Sequence, residues 1–314
     1  MHFALPNKDH RSSPLRATSA VSQMSRTYLR NILRRPVGVL IGVVVLLFLY
    51  LGLSSSGGEV KYGNPPAVLV TVIDRANYSE DYLNRVIADR KDYAKRHGYS
   101  VFIKDVSDYK TDSPYTLWAA LPTLRHAMTT YPTGKFFWYL EQNAIIMNPS
   151  LSIEEHIMDP ARLSKLAMRN QAVVPSSGII KTFRNVNTKT VGLVMSMDEA
   201  GIAPSSMVIR NGAFAKYLLD AWYDPLIRNY WNWQRDKLAA SLEHLVQWHP
   251  TILANYILIP QRILNSYPTT ANGEGTYQDG DMVVSFKGCE AKDSGRNCEA
   301  EFNKYWEQKK QSSS

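Results

Sequence analysis

Residues 37–53 read VGVLIGVVVLLFLYLGL, a run with no charged position, directly behind Arg34-Arg35-Pro36. As a helix it would be about 25 Å long at a rise of about 1.5 Å per residue, enough for a thin early-secretory bilayer. A buried core helix fits poorly, because the run is apolar all round and lies between a basic tail and Ser54-Ser55-Ser56-Gly57-Gly58. A cleaved signal peptide is the nearer competitor, but the 36 residues before the run exceed a usual basic leader. The run therefore reads as a single-pass signal anchor. The positive-inside bias places residues 1–36 in the cytosol as a basic tail and everything after the anchor in a lumen.

The charge follows the same division. The chain holds 36 basic and 28 acidic side chains among 314 residues, a net charge of +8. Lys8, Arg11, Arg16, Arg26, Arg30, Arg34 and Arg35 stand against Asp9 in the tail, so the bulk beyond it is close to neutral. Phosphate-backbone binding needs a concentrated basic surface on a folded domain, so no nucleic-acid partner is expected.

Beyond the anchor, residues 54–66 read as a short stem rich in Ser, Gly and Pro, and 67–311 as one luminal α/β domain. Asn77-Tyr78-Ser79 is a glycosylation sequon, marking Asn77 as a candidate acceptor. Cys289 and Cys298 are the chain's two cysteines. In an oxidising lumen they can close one short loop, and two free thiols are the alternative.

The domain's pattern alternates. Ala67–Ile73 is a continuous apolar run of the kind buried on both faces of a sheet. Ser79, Glu80 and Asp81 open a helix that reaches about His97 and ends at Gly98. A strand follows at 99–104, then a helical segment after Ser113-Pro114 interrupted at Pro122, then a strand at Phe136–Leu140. This β-α-β-α-β order predicts a mostly parallel sheet covered by helices. Further strands are expected at 191–197, 206–210 and 282–286, with helices at 213–230, 237–256 and 299–309.

In an open α/β sheet, ligands sit beyond the carboxyl ends of the strands. The Phe136–Leu140 run ends in Glu141-Gln142-Asn143. Glu141 and Asn143 share a side of the chain if it stays extended, and two oxygen ligands so placed could hold a divalent cation against a diphosphate. Spacing alone favours the other reading, a polar strand end feeding a loop. Asp279-Gly280-Asp281 precedes a strand and reads as a turn. There is no phosphate-binding glycine loop, no Gly-x-Ser-x-Gly elbow and no His-x-x-x-His pair, which leaves a luminal hydrolase without a catalytic pair. Trp138, Trp248 and His249 read as core residues ahead of sugar platforms.

The run from Asp89-Arg90 through Tyr93-Ala94 to His97-Gly98-Tyr99 resembles the NR-x-x-YA-x-x-HGY block of glycosyltransferase family 34. Residues 118–127, the strand-end motif, 218–225, 248–253 and 260–268 are similar to the same family, colinear over about 67–290. Within it the chain looks nearest to fungal Golgi α-1,6-mannosyltransferases. The resemblance implies a GT-A-type domain, GDP-mannose as donor, Mn²⁺ and retention of the α configuration. It also implies an α-1,6-mannan acceptor and homologous mannosyltransferase subunits in a hetero-complex at the Golgi membrane. It assigns Glu141 and Asn143 to the donor and metal.

Four positions depart from the family pattern. The metal motif Asp-x-Asp is Glu141-Gln142-Asn143, and Ser285 stands where the late strand usually carries His. Uncharged Leu238-Ala239 replaces an acid–Gln pair near the reacting sugar, leaving Glu243 and His244 as the nearest catalytic candidates. Ser205 replaces a Gly that allows close backbone approach to a ligand. Two readings follow: a transferase with a rebuilt site, or a non-catalytic subunit that scaffolds or binds mannan for a catalytic partner.

Overall fold

Ala67–Ile73 (β1) is buried along its whole length, with Val68, Val70 and Val72 facing one layer of the core and Ala67 and Leu69 the other. This is the two-sided burial its unbroken apolar run demands. The computed structural model describes residues 64–109, 117–174, 178–234, 236–291 and 293–313. The expected tail 1–36, the expected anchor 37–53 and most of the expected stem 54–66 lie outside the described residues. Among the described residues no helix is long and apolar enough to cross a membrane.

The elements after β1 are α1 (Glu80–His97), β2 (Ser100–Asp105), α2 (Ala120–Thr130), β3 (Phe136–Leu140), β4 (Ala144–Ile146), α3 (Ile153–His156) and α4 (Pro160–Leu166). Then come β5 (Leu193–Asp198), β6 (Gly201–Arg210), α5 (Ala213–Trp222), α6 (Pro225–Trp231), α7 (Lys237–Trp248) and α8 (Pro250–Ala254). The chain continues with β7 (Tyr256–Ile259), α9 (Gln261–Leu264), β8 (Val283–Ser285) and α10 (Cys298–Ser313). Six strands form one sheet in the order β2-β1-β3-β6-β5-β7. β1 pairs in parallel with β2 and β3, and β5 with β7, while β6 runs antiparallel to both its neighbours. The reversal follows from the tight β5–β6 hairpin, whose turn carries Gly201 at φ 140°. Helices α2, α5 and α7 cover one face through Leu124, Leu218 and Leu242. The other face packs against α3, α4 and Tyr93 of α1. β4 and β8 form a separate antiparallel pair against α1 and α10.

α1 begins and ends as its sequence dictates. The Ser79 side chain accepts from the Tyr82 amide, Glu80 and Asp81 sit in the first turn, and Gly98 takes the left-handed conformation at φ 68°. Three expectations need correction. Pro122 lies in the first turn of α2, where its missing N–H costs nothing, and so does not interrupt a helix. The expected helix 213–230 breaks at Tyr223, because Asp224-Pro225 caps and starts α6. The expected helix 237–256 stops at Trp248 ahead of Pro250, and Tyr256–Ile259 is a buried strand, a run too short to separate from a helix end by periodicity. The late strand expected at 282–286 is present as Val283–Ser285, and it pairs with β4 outside the main sheet.

Candidate functional site

The site is built around the bend that follows β3. Buried Arg90 on α1 donates to the carbonyls of Glu141 (2.9 Å) and Ala144 (2.8 Å), gripping the chain on both sides of Gln142-Asn143. Asp89 holds the Arg90 guanidinium and also accepts from the Ile146 amide. The Glu141 amide donates to the Ser205 carbonyl of β6 (2.8 Å), and Gln142 Oε1 accepts from the Asp74 amide beyond β1 (2.9 Å). The Asp89-to-Tyr99 segment thus has a structural meaning. Arg90 shapes the bend, Tyr93 donates to the Leu151 carbonyl, and the Tyr99 hydroxyl meets Glu154.

Glu141 and Asn143 part company at the bend. Asn143 Oδ1 accepts from the Tyr82 hydroxyl (2.9 Å) and its Nδ2 donates to the Tyr78 hydroxyl (3.3 Å). Glu141 instead opens onto a small pocket walled by Tyr139, Ser205, Asp236, Leu238 and Lys287, with Glu290 at its rim. Burial, then the charges of Glu290 and Asp236, push the Glu141 carboxyl up to about 8 against the pull of Lys287. Ser205 is tied back by the Asn265 amide, which donates to its Oγ at 3.0 Å.

One wall of this pocket belongs to an ionic cluster. The Lys287 ammonium donates to Asp198 Oδ2 (2.8 Å) and stands 2.9 Å from Asp236 Oδ2. Asp198 ends β5 and also accepts from the Tyr267 hydroxyl (2.6 Å), while Asp236 caps α7 through the Ala239 amide. Burial draws the Lys287 pKa down, but Asp236 and Asp198 outweigh it and hold the ammonium charged. Glu243 reaches the edge of this cluster. Its Oε1 accepts from the Ile202 amide (3.2 Å), and burial, with help from Asp236 and Asp198, pushes its carboxyl up to about 7. His244, one residue on, turns away to lie between the rings of Trp231 (5.7 Å) and Trp248 (6.3 Å).

Cys289 and Cys298 are joined as a disulfide, with Cα atoms 5.1 Å apart. Asn77 is exposed in the loop after β1, where its Nδ2 donates to Asp74 Oδ2 (2.7 Å). Trp138 is a core residue bonded to Ser206 Oγ, but Trp248 and His249 are exposed, correcting their reading as core. They sit at the end of α7, where the chain turns into Pro250. Asp279-Gly280-Asp281 is a turn, with Asp281 receiving Arg262. A larger groove of about 430 Å³ lies between α2 and α5, but its charges serve the fold: Arg125 pairs with Asp220, and Asp224 caps α6.

The side chains around Glu141 do not make a divalent-cation cage. Asn143 has given its amide oxygen to Tyr82, and Asp198 and Asp236 flank an ammonium. Among the described residues, the one grouping of three or more possible metal ligands within 4.8 Å of one another is Cys289, Glu290 and Cys298, whose sulfurs are bonded to each other. Ser285 Oγ is buried without a hydrogen-bond partner in β8. Sequence reading missed Asp198, Asp236 and Lys287. The available signals were a carboxylate ending a strand, a helix cap, and a cation directly before Gly288-Cys289.

Comparisons with known proteins agree with this architecture. The profile of the galactosyl transferase GMA12/MNN10 family matches residues 63–296. The chain is 34% identical over 237 residues to an uncharacterized α-1,2-galactosyltransferase of Schizosaccharomyces pombe, covering 75% of this chain and 70% of that one. It is 32% identical over 270 residues to the probable α-1,6-mannosyltransferase MNN11 of Saccharomyces cerevisiae, covering 79% of this chain and 63% of that one. A solved glycosyltransferase involved in glycosylation of the major capsid of PBCV-1 shares the fold at a TM-score of 0.52 and 14% identity, over 78% of this chain and all of that one. The chain is a glycosyltransferase and belongs to the galactosyl transferase GMA12/MNN10 family.

Proposed function

We propose that the chain is a Golgi type II α-mannosyltransferase with a GT-A-type domain. It moves mannose from GDP-mannose to the α-1,6-mannan backbone of N-glycans, as a subunit of a hetero-complex with homologous mannosyltransferases. The 37–53 run anchors it and carries the domain into the lumen. The observation that carries the reading is the buried carboxyl of Glu141 opening onto a pocket at the carboxyl end of β3, the crevice where ligands of open α/β sheets bind. Two relatives bear on the sugar: MNN11 and MNN10 of Saccharomyces cerevisiae, each 32% identical, are named probable α-1,6-mannosyltransferases. In this reading Arg90 fixes the bend, and Glu141, holding its proton near neutral pH, donates toward a donor oxygen. The test is transfer by the full chain in detergent, from labelled GDP-mannose or UDP-galactose to an α-1,6-mannoside. Mannose transfer that Glu141→Ala abolishes is expected, and transfer of galactose alone, or of neither sugar, overturns the reading.

A second reading has its own observation. Leu238 is buried in the pocket wall, and with Ala239 it occupies the place where the family resemblance expects an acid–Gln pair. A subunit that lends its fold to a catalytic partner needs no carboxylate there. Co-purification with homologous subunits, together with no binding of either nucleotide, would support it.

A further inference from the structure

We propose that the exposed aromatic row on α6 and α7 is the subsite for an extended, neutral oligosaccharide acceptor, holding sugar rings beyond the one that reacts. The inference rests on the transferase reading above and gives that reading's acceptor a place on the molecule.

The ring centroids of Tyr230 and Trp231 lie 5.1 Å apart, those of Trp231 and His244 5.7 Å, and those of His244 and Trp248 6.3 Å. They make a continuous run from α6 across to the end of α7. Tyr230 and Trp233 are 67% and 74% exposed, and Trp248 is open to solvent as well. A single exposed ring needs no explanation, but the two exposed tryptophans among the described residues both fall here. Packing does not require them, since α7 buries Leu238, Leu242, Leu245 and Val246 in the core.

The row is continuous with the reaction crevice. Trp233 lies in the link between α6 and α7, three positions before Asp236, which lines the Glu141 pocket. Lys237 Nζ holds this link by donating to Asn232 Oδ1 at 3.0 Å. From Asp236, α7 carries the row away from the pocket to Trp248, about 18 Å along the helix axis. A ligand lying along it is a chain of sugars with one end at the crevice.

Composition selects the occupant. Residues 229–234 read Asn-Tyr-Trp-Asn-Trp-Gln, rings interleaved with amides and no charge. A pyranose presents C–H faces that lie on aromatic rings and hydroxyl edges that exchange hydrogen bonds with amides. Burial, then His249, lowers the His244 pKa, so this ring too is uncharged at neutral pH. A lipid surface would be met by aliphatic and basic side chains, and these six residues include neither.

The experiment uses the full chain in detergent, with α-1,6-mannobiose and α-1,6-mannotetraose as probes in calorimetry without donor. The tetraose should bind more tightly, and in hydroxyl-radical footprinting it should shield Tyr230, Trp233 and Trp248. Trp233→Ala and Trp248→Ala should each weaken tetraose binding by about fivefold or more and narrow its advantage over the biose. Trp233→Tyr and Trp248→Tyr should retain most of the affinity, whereas Trp233→Leu and Trp248→Leu, apolar without a flat ring, should behave like the alanine variants. Unchanged tetraose affinity in the alanine variants, or leucine serving as well as tyrosine, overturns the inference. Unchanged affinity together with lost association to homologous subunits overturns it in favour of a protein partner. A parent chain that binds neither mannoside overturns it as well. Row-dependent binding with no transfer to either mannoside overturns the transferase reading and leaves this inference standing. Footprinting of the parent chain decides even where a variant does not fold.

Discussion

The guanidinium of Arg90 donates to the backbone carbonyl of Glu141 across 2.9 Å, a contact between two side-by-side layers of the fold. It is fully buried, and its charge is answered by Asp89. Arg90→Ala would strip donors from two carbonyls and leave Asp89 with Lys309 as its remaining ionic partner. A loss of about 3–5 kcal/mol in urea unfolding is expected. Arg90→Lys should recover only part of it, because an ammonium lacks the planar fork.

The contributions of Glu141 and Glu243 to stability should fall as the pH rises. An unfolded glutamate titrates near 4.5, while in the fold Glu141 is pushed up to about 8 and Glu243 to about 7, chiefly by burial. Between these values the folded chain holds protons that the unfolded chain has released, so unfolding becomes progressively easier. Glu141→Gln should therefore be more stable than the parent at pH 8 by about 1–3 kcal/mol, a gain that vanishes below about pH 4.5. Urea titrations across this range check it, and a gain independent of pH would contradict it.

The Cys289–Cys298 bond closes a short loop, with a sequence separation of 9. Cys298→Ser should cost about 2–3 kcal/mol in thermal or urea unfolding. A reductant should shift the parent chain toward the variant while leaving the variant unchanged.

The tryptophans divide by environment. Trp138 is fully buried with its Nε1–H on Ser206 Oγ at 3.0 Å, so Trp138→Phe should cost about 1 kcal/mol or more through the hydroxyl left unpaired and the lost ring volume. Trp248 is 72% exposed, and Trp248→Ala should change stability by no more than about 0.5 kcal/mol. Parallel unfolding curves for the two variants test the contrast.

What could be read in advance had a local cause. The caps of α1 at Ser79 and Gly98, the buried run of β1 and the strand ending at Glu141 are all written within a few neighbouring residues. The site's ionic half was not legible, because Asp198 and Lys287 meet across 89 positions of chain. Nor does spacing reveal that Asn143 turns toward Tyr82, since that depends on a hydroxyl delivered by α1 from 61 positions away. β7 was hidden for a different reason: four apolar residues between two prolines fit a helix end as well as a strand. Trp248 was misjudged because an aromatic ring beside a helix end carries no local mark of which way it points.

The disulfide stands two residues beyond Lys287 and directly before Glu290. One wall of the pocket is thus tethered to the first residue of α10 by a covalent bond made after synthesis. None of the six strands of the main sheet lies within the closed loop, so reduction should loosen the wall that carries Lys287 and Glu290 more than it loosens the sheet.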